Sequence, residues 1–175
     1  MSRPPSPALR SGAPLTAIFA GTFDPVTLGH LDVMRRGAAV FGRLLVLVSA
    51  AGRSTLFSPE ERLGFVRAAT ADLPNVEAQL FQGLLVEEAR RQGARVLLRG
   101  VRGGRDLDAE LPMAVANRSL APDLETLFLA PGPGLSLVSS SLVREVAGLG
   151  GDASAWVPPG VADALRRRTT GPAAR

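Results

Sequence analysis

The chain has 175 residues, 46% of them hydrophobic and 21% charged, with no cysteine and one histidine. That suits one globular domain and excludes disulfides, thiolate zinc sites and thiol catalysis. Every basic residue is arginine, and residues 15–165 hold 14 of the 20 arginines against all 16 acidic residues, a net −2; the basic excess sits at the chain ends, so no nucleic-acid-binding face is expected.

Residues 1–14 carry four prolines and neither hydrophobic periodicity nor an apolar core of a secretory signal. They read as a disordered extension, with no export expected. No later stretch approaches the roughly 18–20 apolar residues of a membrane helix, so a cytoplasmic protein with no membrane partner is expected. From there the chain alternates short apolar runs with helix-length patterns. Strands are predicted at 16–20, 44–49, 76–81, 95–98 and 126–129. Helices are predicted at 29–40, 59–71, 84–91, 108–120, 140–148 and 159–168. The second helix has a complete start signal, Ser58 as N-cap, Pro59 next and Glu61 three on. Pro112 is expected near the first turn of the fourth helix. Residues 15–168 read as the domain and 169–175 as a flexible tail.

Strands that are continuously apolar are expected to be buried on both faces. Their alternation with helices predicts an α/β fold, a doubly wound parallel sheet, Rossmann-like. Ligands of such folds bind beyond the carboxyl ends of the strands, so the residues after each strand are candidates for chemistry.

After the first strand stands GTFDPVTLGH, residues 21–30. Gly21 permits a sharp turn and close approach to a ligand, and Pro25 stiffens the loop. His30, the sole histidine, opens a helix, where free N–H groups and the positive dipole end suit a phosphate. After the fourth strand, Arg99 and Arg102 lie at the sheet edge, placed to clamp phosphates by fork-like bonds. Later, Ser139, Ser140 and Ser141 open a helix. One would cap it; three make a polar nest for phosphates.

Taken whole, GTFDPVTLGH resembles the T/HxGH signature of the nucleotidyltransferase superfamily, with Thr27 in first place, in the form found in the phosphopantetheine adenylyltransferase family. Phe57 with Glu61-Arg62, the Arg99–Arg102 stretch and VSSSLVRE at 138–145 are similar to further motifs of that family. The resemblance implies AMP transfer from ATP to 4′-phosphopantetheine, giving dephospho-coenzyme A and pyrophosphate. It implies that Thr22 and His30 are catalytic and bond the α-phosphate. ATP would be held by Thr22, Phe23, His30, Gly100, Val101, Arg102, Glu110 and residues Leu135, Ser136, Leu137, Val138, Ser139, Ser140 and Ser141. The acceptor would be held by Thr22, Arg53, Leu85 and Arg99. Arg53 stands where the family usually has lysine, and Leu135 where an aromatic residue is frequent. Asn117, Thr126 and Trp156 also match the family and read as structural.

A phosphate monoester, with a second pKa of about 6, is already a nucleophile near neutrality, so no general base is expected. Mg²⁺ is expected as cofactor, bridging phosphates, with no residue assigned as metal ligand. The resemblance also implies a homo-oligomer, a hexamer. Two alternatives stay open. One is a nicotinate or nicotinamide mononucleotide adenylyltransferase, which usually has His at the place of Thr27. The other is a non-catalytic nucleotide- or RNA-binding module.

Overall fold

Along the central strands, side chains alternate between two apolar clusters. Ala17, Phe19, Leu44, Val46, Val48, Val96 and Leu98 point to one; Ile18, Leu45, Leu47 and Leu97 point to the other. This is the period-2 signature of strands covered on both sides. Each fully buried Val or Leu contributes about 1.5–3 kcal/mol, so the register of these strands is strongly fixed. A computed structural model of the chain describes residues 14–51 and 54–169. The predicted extension up to residue 13, Arg53, and the predicted tail beyond residue 169 lie outside the described residues.

The elements run β1 (Thr16–Gly21), α1 (Leu28–Val40), β2 (Arg43–Ser49), α2 (Pro59–Ala69), β3 (Val76–Phe81), α3 (Leu85–Arg91), β4 (Val96–Gly100), α4 (Gly104–Leu120), β5 (Glu125–Leu129), α5 (Ser140–Gly148) and α6 (Pro159–Thr169), with a 3-10 turn at Ser154–Trp156. All strands are parallel, in the order β3-β2-β1-β4-β5. α1, α2, α5 and α6 cover one face, through Met34, Val66, Val143 and Val161 among others. α3 and the turn after α4 cover the other, through Val86, Ala89, Ala121 and Leu124. The sheet is therefore doubly wound. Its direction of winding reverses between β1 and β4, which opens the ligand crevice at their carboxyl ends.

Two expectations need correction. First, β3 and β5 are half-exposed edge strands rather than strands buried on both faces; Leu80 and Leu127 remain accessible. Second, α4 begins at Gly104, so Pro112 sits inside the helix and not in its first turn. The N-cap is Gly103, with no side-chain cap bond, and this start lacks the Ser or Thr signal that marks α1, α2 and α5. An interior proline removes one helix hydrogen bond and costs about 3 kcal/mol. α4 buries only Asn117 and leaves Leu111, Met113, Val115 and Leu120 exposed.

Candidate active site

The loop after β1 closes on itself before α1 begins. A Cβ on Gly21 would come within 2.9 Å of the Phe23 ring. Glycine is thus required by the aromatic ring folded beneath it, not by the turn expected from the sequence. Phe23 is buried and adopts φ +50°, a conformation costly for a residue with a side chain. The Asp24–Pro25 peptide is cis.

Thr27 is the N-cap of α1, and His30 occupies its N3 position. The two form a reciprocal capping box. The Thr27 hydroxyl accepts from the His30 N–H, and the Thr27 N–H donates to His30 Nδ1 at 3.1 Å. Because Nδ1 accepts from a backbone donor, the ring proton belongs on Nε2. Phe23 meets the imidazole edge-on at 5.1 Å between centroids. Burial, then the charges of Arg102 and Arg99, push the His30 pKa down to about 4. At neutral pH His30 is therefore an uncharged donor with its Nε2–H edge left for a ligand.

The cations beside it come from the end of β4 and the loop that follows. Arg99 donates through Nε to Glu110 at 2.7 Å, pairs with the same carboxylate through Nη2, and donates through Nη1 to the Ala20 carbonyl at 2.6 Å. Arg102 grips Asp106 through Nε at 2.8 Å and Nη2 at 2.9 Å. The Arg102 N–H also donates to Asp106, at 3.0 Å. Asp106 and Glu110 lie four residues apart on one face of α4. The hydrogen bonds with Asp106 hold the Arg102 pKa above its usual value, and those with Arg102 hold Asp106 below the ordinary carboxylate range.

The third wall is the start of α5. Ser139 caps it, accepting from the Leu142 N–H at 3.1 Å. Ser140 donates to the Pro25 carbonyl at 2.8 Å and fastens α5 to the first loop. Arg144 bonds the Asp24 carbonyl in the same region. Together the three walls enclose a cavity of about 340 Å³ at the reversal point of the sheet.

A family model described as cytidylyltransferase-like matches residues 18–146. The phosphopantetheine adenylyltransferase of Methylococcus capsulatus is 48% identical over 158 residues, covering 90% of this chain and 98% of that protein. That of a Nocardioides species is 50% identical over 153 residues, covering 87% and 96%. The chain belongs to the phosphopantetheine adenylyltransferase family. Among solved structures, a nicotinate-nucleotide adenylyltransferase candidate from Vibrio parahaemolyticus superposes with a TM-score of 0.68. It is 19% identical and covers 91% of this chain and 98% of that one, a likeness of fold.

Of the residues that the family resemblance singles out, Phe23, His30, Arg99, Gly100, Val101, Arg102 and Glu110 line the cavity, as do Leu135, Val138 and Ser139 to Ser141. Thr22, Ser136 and Leu137 do not line it, and Leu137 is 81% exposed. Leu85 starts α3 and packs against the cluster on the opposite face of the sheet. Arg53 lies outside the described residues. Sequence reasoning missed Gly29 and Asp106, both in the cavity lining. Asp106 was signalled by its spacing of four from Arg102. A Cβ on Gly29 would meet nothing in the protein closer than 3.6 Å.

Proposed function

We propose that this member of the family transfers AMP from ATP to 4′-phosphopantetheine, releasing pyrophosphate and forming dephospho-coenzyme A. The observation that carries the reading is His30, a neutral Nε2–H donor fixed by Thr27 in the crevice that Arg99 and Arg102 also line. The curated relatives that bear this activity in their names, at 48% and 50% identity, support it.

The acceptor's phosphate dianion attacks the α-phosphorus, and the bond to the pyrophosphate oxygen breaks. The nucleophile is already ionised near neutrality, so no side chain need remove a proton. The protein's task is to align two anions and to stabilise charge growing on the α-phosphate. His30 Nε2–H donates to that phosphate, and the Thr22 hydroxyl, outside the cavity lining, is assigned to the same phosphate by family resemblance alone. Arg99 and Arg53 hold the acceptor's phosphate. Arg102, Glu110, the 100–102 backbone and the 135–141 segment with its serines hold ATP. The Leu85 backbone is assigned to the pantetheine arm.

Mg²⁺, expected to accompany the triphosphate, would offset negative charge on the phosphates, and no residue of the chain is assigned to hold it. The two carboxylates of the cavity, Glu110 and Asp106, accept hydrogen bonds from Arg99 and Arg102. Among the described residues no group of three or more potential metal ligands comes together.

The same reading makes the protein a cytoplasmic homo-oligomer, a hexamer by family resemblance, without nucleic-acid or membrane partners. The exposed apolar side chains of α4 support self-association. Among the described residues, no helix is long and apolar enough to cross a membrane.

The test is pyrophosphate release from ATP with 4′-phosphopantetheine, with nicotinate mononucleotide, or with no acceptor. Release with the first alone is expected. Release with the second alone would replace the acceptor, and no release with either would overturn the reading.

A further inference from the structure

The bulkiest fully buried side chain of the described molecule is a cation. Arg62 of α2 has no exposed surface, and no carboxylate pairs with it among the described residues. Its guanidinium instead donates to three backbone carbonyls, through Nε to Phe57 at 3.1 Å and through Nη1 to Thr22 at 2.5 Å and Ser49 at 2.9 Å. Burying a guanidinium without a counter-ion is costly, and apolar residues of similar volume often serve stability as well or better. A packing role alone therefore explains Arg62 poorly.

The three carbonyls mark what the side chain joins. Ser49 ends β2 and Phe57 precedes the N-cap of α2, so these two are the end of one element and the approach to the next. Thr22 belongs to the loop after β1. Asp24, also buried, straps the same pieces together, its carboxylate accepting from the N–H groups of Leu56 at 2.8 Å and Phe57 at 3.0 Å. The Thr22–Phe23 peptide is trans, so its N–H lies on the edge opposite the carbonyl that Arg62 holds. Among the described residues no protein acceptor takes that N–H. Phe23 itself lines the cavity at a positive φ that needs outside support.

We infer that Arg62 is a positioning residue for nucleotidyl transfer: it clamps the Thr22–Phe23 peptide so that the Phe23 N–H faces the phosphate being transferred. This rests on the reading above. The buried charge also biases the floor of the site toward anions, which a neutral donor could not do. Arg62 touches no substrate; it acts through the backbone of the loop.

Native protein, Arg62→Lys and Arg62→Met are compared by melting, steady-state pyrophosphate release and the amide resonance of Phe23 during ATP titration. In Arg62→Met the expected result is a kcat lower by about 10²-fold, the scale of a 1 Å misplacement, with KM for ATP changing less. Arg62→Lys, which keeps a charge and can reach some of the carbonyls, should regain part of the rate. ATP should shift the Phe23 amide in native protein and much less in Arg62→Lys. A folded variant with native kcat and a native Phe23 response overturns the inference, as does unfolding of both variants, which would assign Arg62 to stability alone. If Arg62→Met alone fails to fold, Arg62→Lys decides by the same measures. Should native protein release no pyrophosphate with phosphopantetheine, the functional reading fails by itself. The Phe23 response then decides the positioning claim separately.

Discussion

The starts of α1 and α4 face each other across the cavity and solve the same problem differently. At α1, the functional side chain is held by the helix cap itself: Thr27 and His30 satisfy each other, and the imidazole stays neutral. At α4, two cations are held by carboxylates, Arg99 by Glu110 and Arg102 by Asp106. A cap is local and cannot be exchanged for a ligand without fraying the helix. An ion pair can be exchanged, because a phosphate offers the same bidentate oxygens as a carboxylate. The α1 side is thus a fixed donor, and the α4 side a store of matched charge that incoming anions can draw on. Arg99 illustrates the second case: three of its five N–H groups are engaged, and in the proposed reading a phosphate gripped side-on through Nε and Nη2 would take the place of Glu110.

Removing the fixed donor should have the largest effect. His30→Ala is expected to lower kcat by about 10²–10³, the scale for one transition-state donor, with ATP affinity changing less. Steady-state rates and equilibrium ATP binding check this, and full turnover in the variant would strip His30 of its role. Next comes Arg99→Ala, which should raise KM for the acceptor by about one to two orders of magnitude, the worth of a charge-assisted bond. If only the constant for ATP moved, the division of labour between Arg99 and Arg102 would be wrong.

Much of this contrast could be read from the sequence, and the gaps have physical causes. The buried strands announced themselves by apolar runs, and the Ser58 and Ser139 caps appear where expected. The α1 cap was not recognised because His30 fills the N3 place where Glu or Gln usually signals a capping box. The first turn of α4 was missed because Gly103 caps without a side chain. The Arg99–Glu110 pair joins a strand to a helix, which no local periodicity reports. Nor did any pattern show that Arg62, seen only as part of a motif, would be wholly buried.

A pH titration sharpens the claim of neutrality. The folded pKa of His30, about 4, lies below the usual 6.5, so the unfolded chain binds the proton more readily. Between those values the unfolded state is favoured increasingly as pH falls, and stability declines from about pH 6.5 to about pH 4. The loss is bounded near 3 kcal/mol and reduced by solvent reaching the half-buried ring. Urea unfolding at pH 7 and pH 4.5 should show a larger drop for native protein than for His30→Gln. As the sole histidine, His30 can also be followed directly by proton NMR. A midpoint near 6.5 without ligand would show that burial and the arginines do not depress the ring, and one above about 7 would remove the case for a neutral donor.

The smallest effect expected comes from Thr27→Val, which separates the two halves of the cap. The variant loses the hydroxyl that accepts from the His30 N–H, at a cost of about 1 kcal/mol for a lost N-cap. It keeps the Thr27 backbone N–H that donates to Nδ1. If that backbone bond fixes the tautomer, the ring proton stays on Nε2 and kcat should fall by less than about tenfold, within one donor's worth, while the melting temperature drops. A loss of rate as large as that of His30→Ala, without further loss of stability, would mean that the hydroxyl, 3.0 Å from Nδ1, orients the imidazole. The fixed side of the cavity would then depend on a side chain, as the α4 side does.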